Sequence, residues 1–418
     1  MSRLIRLILV LVILLAVLPV LPVMAQTLPP NCGEGTQKSG AVYRICMPPP
    51  PLTWNGDLVV YAHGYVPDLG QPVAIPEDQL KLPDGTSIPG IINSLGYAFA
   101  VTSYSANGLA VTEGVADVRD LVRVFRQTVK PGQVNHVYLV GVSEGGLVTT
   151  LAVEKFPDVF SGGLAMCGPV GDLGGQINYW GDFRVVFDYF FPGALPLWSP
   201  QNVMVPPEVM AGWKTVYAPT VAYRLNQDPG ASLQLLNVTH ALIDPGDPTS
   251  IPKTVLGILW YNVFATNDVI AKLRGQPFDN NPRMYLGSAN DALLNSTVQR
   301  FDADRLALNK IASHYQTSGA LEVPLVTLHT TGDPIVPYWH ELLYSAKVLA
   351  SGSSLMHSNI PISRYGHCSF TVSEVLVAFQ MLVLKVTGQE LADVHRALPD
   401  ASAQAEFLRL ARQHGALR

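Results

Sequence analysis

One stretch, residues 137–151, constrains the fold of this chain more than any other. It begins with the apolar run VYLV, which is rich in β-branched and aromatic residues and short enough to be a buried strand. The pentapeptide GVSEG follows with Ser143 at its centre, and residues 147–155 can then form a helix. Such a turn holds its central serine in strained geometry at the carboxyl edge of a sheet, while small flanking residues let neighbouring backbone pass close. The pattern predicts that Ser143 is a nucleophile, and a glycine-rich turn without catalysis is the alternative.

Two later segments carry side chains that would complete a catalytic group with this serine. The predicted strand VPLVTLH, at 323–329, is followed by a Gly-Asp-Pro turn containing Asp333, which is well placed to orient a histidine. His367 lies on a loop after a short predicted strand near 359–363 and before a predicted helix at 372–386. Of the ten histidines, it alone follows such an Asp at a suitable distance, so it is predicted to be the base. A plain Asx turn is the alternative for Asp333.

Strands and helices alternate through the first part of the chain. Strands are predicted at 57–62, 97–103 and 159–166, and a helix with apolar residues at three-to-four spacing is predicted at 112–129. This βαβ spacing implies a mostly parallel sheet covered by helices. Residues 75–90 are rich in Pro, Asp and Gly and are interpreted as a surface loop.

The alternation stops at residue 172. From there to residue 318 the chain is aromatic and interrupted by Pro and Gly, with patches of helical spacing. We interpret this segment as a helical cap inserted after the sixth strand, so that residues 26–171 and 319–418 form the catalytic domain. Trp180 and Phe183 are candidate substrate-binding residues, although aromatic side chains at these spacings are more often part of a core.

The order Ser143, Asp333, His367 is that of the α/β hydrolase triad and differs from the order in chymotrypsin-like and subtilisin-like proteases. Over roughly residues 57–386, apart from the cap, the chain resembles the α/β hydrolase superfamily. The resemblance implies an α/β fold whose mostly parallel central sheet is flanked by helices.

The resemblance also implies an oxyanion hole. In these hydrolases, a loop after an early strand and the residue after the nucleophile each supply one backbone N–H. The corresponding donors here are Tyr65, with Gly64 as the less favoured choice, and Glu144. His63 and Gly64 on the same loop are also candidate substrate-binding residues, and an ordinary strand-ending turn is the alternative. The loop is similar to the corresponding loop of polyester hydrolases and depolymerases.

Four cysteines suggest disulfides in an exported protein. Cys32 and Cys46 flank three glycines and are expected to close a hairpin-like segment. Cys167 and Cys368 lie beside motif residues; their pairing would clamp the site, and buried free thiols are the alternative. The His-Cys pair at 367–368 is similar to that of the tannase and feruloyl esterase group, in which a Cys beside the nucleophile bridges to the Cys after the His. Here Val142 precedes the nucleophile, and Cys167 could substitute as the partner.

Residues 1–25 are expected to be an export signal. Arg3 and Arg6 precede an apolar run at 7–18, prolines interrupt it, and Val-Met-Ala precedes Gln26 as a cleavage site. An uncleaved membrane anchor is the alternative. Cleavage would leave a secreted or periplasmic protein without a stable membrane anchor.

Together these features predict a secreted serine hydrolase that cleaves carboxylic esters, either small or polymeric, with aromatic, hydroxycinnamoyl, polyester or acyl substrates left open. No metal or organic cofactor is expected, because metal-binding and phosphate-loop motifs are missing from the sequence. Charged residues make up 14% of the chain without basic runs, so a nucleic-acid partner is not expected. A serine peptidase of the prolyl- or tripeptidyl-aminopeptidase type is the main alternative, with Asp182 or Asp188 as its amine subsite. A catalytically inactive binding protein on this fold is a third interpretation.

Overall fold

The computed structural model describes residues 28–82, 84–128, 134–199 and 202–417, so the predicted export signal lies outside the described residues. Its central feature is an eight-stranded sheet with the order β1-β2-β4-β3-β5-β6-β7-β8. The strands are β1 (Cys32–Thr36), β2 (Val42–Cys46), β3 (Leu58–Ala62), β4 (Ala98–Thr102), β5 (Val137–Val142), β6 (Gly162–Met166), β7 (Leu325–Gly332) and β8 (His357–Tyr365). Neighbouring strands are parallel along the sheet from β4 through β3, β5, β6 and β7 to β8. Strand β2 is antiparallel to both β1 and β4.

Helices cover both faces of this sheet. On β3, Val60 and Ala62 contribute to one buried core with helices α2 and α3, while Val59 and Tyr61 contribute to a second core with α12 and α13. Successive strand residues point to opposite faces, so a strand buried on both faces must be apolar throughout, as β3 is. The helices outside the cap are α1 (Ile88–Ser94), α2 (Val111–Thr128), α3 (Glu144–Lys155), α11 (Trp339–Ala350), α12 (Val372–Thr387) and α13 (Ala401–Gln413).

A helical cap separates β6 from β7 and has a hydrophobic core of its own. Its α-helices are α4 (Leu173–Phe190), α5 (Pro207–Gly212), α6 (Ala218–Gln227), α7 (Pro229–Thr239), α8 (Ser250–Leu273), α9 (Asp291–Thr297) and α10 (Arg305–Lys310), with π-helical turns at Trp213–Tyr217 and Ile311–Tyr315. The predicted fold class, an α/β hydrolase sheet with a helical cap after the sixth strand, is therefore confirmed. None of the described helices combines the length and apolarity needed to cross a membrane.

Local details differ from the sequence-based expectations in two places. The segment 75–90, interpreted as a loop, contains a 3₁₀ helix at Glu77–Leu80 and the first residues of α1. The periodicity marks 255–264 and 269–273 as two separate helical patches of the cap, but both belong to the single helix α8, which continues through the polar residues between them. At the amino end, Cys32 and Cys46 are cross-strand neighbours in the β1–β2 hairpin and form a disulfide.

Candidate active site

The turn between β5 and α3 holds Ser143 at the carboxyl edge of the sheet. Its backbone has φ 56° and ψ −121°, a conformation that L-residues rarely adopt. The flanking glycines are required by close backbone contacts: a Cβ at Gly141 would lie 2.0 Å from the Gly145 carbonyl oxygen, and one at Gly145 would lie 2.0 Å from that of Ala62. This packing explains why the turn needs Gly on both sides of the serine.

Ser143, His367 and Asp333 form one hydrogen-bonded chain. The Ser143 Oγ lies 2.9 Å from Nε2 of His367, and Nδ1 of His367 lies 2.6 Å from Oδ2 of Asp333. A carboxylate on Nδ1 fixes the tautomer, so that Nδ1 donates and Nε2 accepts the serine proton. The structure therefore brings together the three residues that the sequence suggests, from the ends of three different strands.

Asp333 follows β7 and is fully buried. Its Oδ1 accepts hydrogen bonds from the backbone N–H groups of Ile335 and Val336, at 2.8 and 3.0 Å, which leaves Oδ2 for His367. Burial alone would raise the pKa of this carboxyl, but His367 and the neighbouring His329 hold it well below its usual range. The carboxylate is thus ionised throughout the neutral range and oriented by its own turn.

His329, on β7, is a buried part of this arrangement that the sequence analysis does not identify. Its Nδ1 lies 2.9 Å from Oε1 of Glu341, and its Nε2 lies 2.8 Å from the Val336 carbonyl oxygen and 3.6 Å from Oδ2 of Asp333. A neutral imidazole has only one N–H, yet both ring nitrogens face acceptors. Burial favours the neutral ring, but Asp333 and Glu341 outweigh it and raise the pKa of His329 to about 10. A buried cation therefore lies between the two carboxylates.

The loop that carries His367 is held on several sides. The Thr330 hydroxyl donates to the Gly366 carbonyl oxygen at 2.6 Å, and a disulfide joins Cys368 to Cys167 at the end of β6. Sulfur and nitrogen atoms of Cys167, His367 and Cys368 lie within 4.8 Å of one another, but the disulfide removes the thiolates that a metal would need. The disulfide and the hydrogen bond hold the loop of His367 in place, and the cluster is unsuited to binding a metal ion.

Two backbone N–H groups lie beside the serine without an acceptor among the described residues, those of Tyr65 and Glu144. The alternative donor, the Gly64 N–H, is bound by Oε1 of Gln79 at 2.7 Å, and Nε2 of Gln79 donates to the Tyr65 carbonyl oxygen. A Cβ on Gly64 would come within 3.2 Å of the Ser143 Cβ, which shows how closely this loop approaches the nucleophile. Of the two N–H groups that the sequence offers, that of Gly64 is therefore engaged and that of Tyr65 is not, and Gln79 is the loop-ordering residue that sequence analysis misses.

The Glu144 side chain is only 8% exposed. Its Oε1 accepts a hydrogen bond from the Ala110 N–H at 2.9 Å. Burial raises the pKa of the Glu144 carboxyl to about 8, although Ala110 and Lys272 oppose the shift. Burial therefore favours the neutral form of this carboxyl.

His63 lies beneath the loop and does not line the cavity beside the serine. The ring stacks on Tyr104 with centroids 3.9 Å apart, and its Nδ1 lies 2.7 Å from the Gly64 carbonyl oxygen. Its expected role in substrate binding is not supported by this position, because a buried ring behind the backbone cannot touch a substrate. The side chain instead supports the loop that presents the Tyr65 N–H.

A small cavity extends from Ser143 between the cap and the catalytic domain, and Trp180 forms part of its wall. Phe183 lies elsewhere: it is fully buried in the hydrophobic core of the cap and does not line this cavity. The alternative interpretation as cap core therefore describes Phe183 correctly. A wider open groove of about 1100 Å³ runs along α2, but none of the predicted site residues lines it.

The strand order, the turn around Ser143 and its contacts with His367 and Asp333 together define an α/β hydrolase fold with a Ser-His-Asp arrangement. No protein-family model and no curated protein sequence matches this chain. Among solved structures, it is similar to an esterase from Aspergillus oryzae (14% identity, 84% of this chain, 78% of that chain, TM-score 0.49). It is also similar to feruloyl esterase B from Aspergillus oryzae (15%, 85%, 79%, TM-score 0.47) and to an acylaminoacyl peptidase (11%, 88%, 43%, TM-score 0.41).

This chain spans less than half the length of two acylaminoacyl peptidases and a puromycin hydrolase that it matches, with 43%, 44% and 39% covered. Similarities this distant do not indicate a substrate. The fold assignment rests on the strand order and connections of this chain.

Proposed function

We propose that this protein is a serine hydrolase that cleaves carboxylic esters through an acyl-enzyme intermediate. The observation that carries the proposal is the continuous chain from Ser143 Oγ through His367 to Asp333, beside two unengaged backbone N–H groups. A nucleophile, an oriented base and two donors around one point are the parts that acyl transfer requires.

In the proposed first step, His367 Nε2 takes the Ser143 proton as Oγ attacks the ester carbonyl carbon. The carbonyl oxygen becomes an oxyanion that accepts hydrogen bonds from the N–H groups of Tyr65 and Glu144, and Asp333 stabilises the imidazolium. Collapse breaks the bond to the alcohol oxygen, which receives the proton from His367. In the second step, His367 deprotonates a water that attacks the acyl-enzyme, and the proton returns to Ser143 as the acid leaves.

A matched set of substrates tests this proposal. We expect purified protein to hydrolyse p-nitrophenyl esters, and both Ser143→Ala and His367→Ala to reduce turnover by at least about a thousandfold while leaving thermal unfolding unchanged. His314→Ala, a change to an exposed histidine on a cap turn, serves as the control. Full activity in Ser143→Ala would show that Ser143 is not the nucleophile.

The peptidase alternative receives no support from the two cap residues expected to bind an amine. Asp188 forms a buried ion pair with Arg184, at 2.9 Å, and Asp182 pairs with Arg283 and accepts a hydrogen bond from Tyr285. Because both carboxylates already have partners inside the cap, neither offers a free acidic subsite. Aminoacyl and peptidyl anilides in the same assay would reveal a peptidase if they were cleaved faster than the esters.

We also propose that the protein is exported. Support comes from the basic and apolar segment at its amino end and from two disulfides, which persist mainly in oxidising compartments. Amino-terminal sequencing of protein recovered from outside the cytoplasm would test this, and an uncleaved amino end would contradict removal of residues 1–25.

A further inference from the structure

The cavity beside Ser143 lies on one particular side of the nucleophile. Its lining residues include Tyr65 and Glu144, whose N–H groups are the proposed oxyanion donors, but neither His367 nor Asp333. In ester cleavage the alcohol oxygen must lie within reach of His367, which protonates it as it leaves. The acyl part must therefore lie away from His367, on the side where this cavity begins.

The walls of the cavity are apolar. They are formed by the catalytic domain, through residues such as Leu109 and Leu147, and by cap helices α4 and α8, through Ile177, Ala265 and Val269. The surface that faces the cavity exposes apolar atoms only. A group that binds here loses its hydration without gaining a hydrogen bond, so polar or charged acyl groups are disfavoured.

The cavity is also small. The centre of a water-sized sphere can occupy about 40 Å³ of it, against about 1100 Å³ in the open groove along α2. A short acyl chain suits so confined a space, whereas a long fatty-acyl chain or a hydroxycinnamoyl group would require its walls to move apart.

Hydrogen bonds between the cap and the catalytic domain fix the cavity walls. On the α4 side, the indole Nε1 of Trp180 donates to the Ile335 carbonyl oxygen at 3.1 Å, and the Tyr179 hydroxyl donates to that of Pro334 at 2.8 Å. On the α8 side, the Tyr65 hydroxyl donates to the Phe264 carbonyl oxygen at 3.1 Å.

A further contact closes the α8 side. Asp268 accepts a hydrogen bond from the Leu109 N–H at 2.6 Å and forms an ion pair with Lys272 at 3.0 Å. Enlarging the cavity by moving the cap would break contacts on both sides at once.

On these grounds we propose that the cavity beside Ser143 is the acyl pocket and restricts the substrate to esters of short, apolar acids. This inference rests on the proposed ester hydrolase function and names its substrate class. The alcohol side is more open, because the His367 side chain is 17% exposed and the leaving group departs on its side.

The test compares the turnover of p-nitrophenyl acetate, butyrate, octanoate and dodecanoate by the purified, unaltered protein. We expect kcat/KM to be highest for acetate or butyrate and at least tenfold lower for octanoate, because each methylene that does not fit is worth about tenfold or more. Methyl ferulate should be a poorer substrate than methyl butyrate for the same reason.

Two substitutions on α8 change the size of the pocket in opposite directions. Val269→Ala removes two methyl groups from the wall and should raise the octanoate-to-butyrate ratio of kcat/KM severalfold. Ala265→Val adds two methyl groups and should lower the butyrate-to-acetate ratio by about tenfold. Val263→Ala, on the same helix but buried in the cap core, is the matched control and should leave both ratios unchanged.

The failures of the two proposals can be told apart. Equal turnover of butyrate and octanoate by the unaltered protein, or the same chain-length profile in Val269→Ala and Val263→Ala, would overturn the acyl-size inference alone. Absence of ester hydrolysis throughout the panel would overturn the proposed function as well.

Discussion

Removal of the disulfide between Cys167 and Cys368 is expected to affect both stability and catalysis. The bond closes a loop of 201 residues, whereas the bond between Cys32 and Cys46 closes a loop of 14. In the chain-entropy model, loops of these lengths correspond to about 5 and about 3 kcal/mol of unfolding free energy. The double variants Cys167→Ala/Cys368→Ala and Cys32→Ala/Cys46→Ala should therefore both unfold more easily, the first by about 2 kcal/mol more than the second.

Only the first pair should alter turnover. Cys368 directly follows His367. Cys167 directly follows β6, the neighbour of β5, which leads to Ser143, so this bond ties the loop of His367 to the part of the sheet that carries Ser143. A displacement of His367 of about 1 Å would be expected to reduce kcat by about 10- to 100-fold. The bond between Cys32 and Cys46 lies in the β1–β2 hairpin, on the outermost strands at the side of the sheet away from β7 and β8. Its loss should leave kcat near that of the unaltered protein.

Urea unfolding of both double variants measures the effect on stability. The effect on turnover is measured separately, as kcat at a temperature well below that at which either variant unfolds. Mass spectrometry of non-reduced peptides should first establish that the unaltered protein contains both bonds. An equal loss of kcat in the two variants, or unchanged kcat in Cys167→Ala/Cys368→Ala, would refute the role of this bond in holding the base.

Two buried titratable groups give further expectations, both measurable as the pH dependence of unfolding. Because burial raises the pKa of Glu144 from 4.5 to about 8, its contribution to stability is fully present below pH 4.5 and is lost as pH rises to 8. Between pH 5 and pH 8, the loss of unfolding free energy should be roughly 3 to 4 kcal/mol smaller in Glu144→Gln. Parallel curves of unfolding free energy against pH for the two proteins would contradict the burial argument. Asp333 and Glu341 raise the pKa of His329 from 6.5 to about 10. The stability that protonated His329 contributes is therefore fully present below pH 6.5 and is lost as the pH rises to about 10. His329→Gln should flatten the stability curve above pH 7, and an unchanged slope there would show that His329 is neutral in the folded protein.

Local sequence rules predict the sheet and the triad because each feature depends on near neighbours along the chain. The glycines around Ser143 are demanded by contacts within one turn, and Asp333 is oriented by the backbone of the two residues that follow Pro334. The buried strands β3 and β4 are apolar apart from Thr102, so their positions are evident without knowing which strands pair.

Features that depend on distant packing could not be predicted in this way. His329 lies inside an apolar strand, and nothing nearby in sequence indicates that it faces Glu341 on α11. Gln79 orders the Tyr65 loop from a segment that composition alone assigns to the surface. Asp117 fits the solvated face of a helical pattern, yet it is buried because its carboxylate accepts a hydrogen bond from the Ser105 N–H. In each case the partner comes from another element, so the burial follows from tertiary contacts and leaves no local signal.

The cap and the triad share one backbone loop, and this connects substrate selection with catalysis. The N–H groups of Ile335 and Val336 orient Asp333, while the Ile335 carbonyl oxygen accepts hydrogen bonds from Trp180 and from the Gln176 side chain on α4. A cap helix that moved away would therefore release the loop that positions Asp333 as well as one wall of the cavity. An acyl group that fits the cavity without displacing α4 thus leaves His367 in position. A group that forces α4 outward weakens the hydrogen bonds that orient Asp333 and, through it, His367. On this arrangement, selection against a bulky acyl group is expressed in kcat as well as in KM.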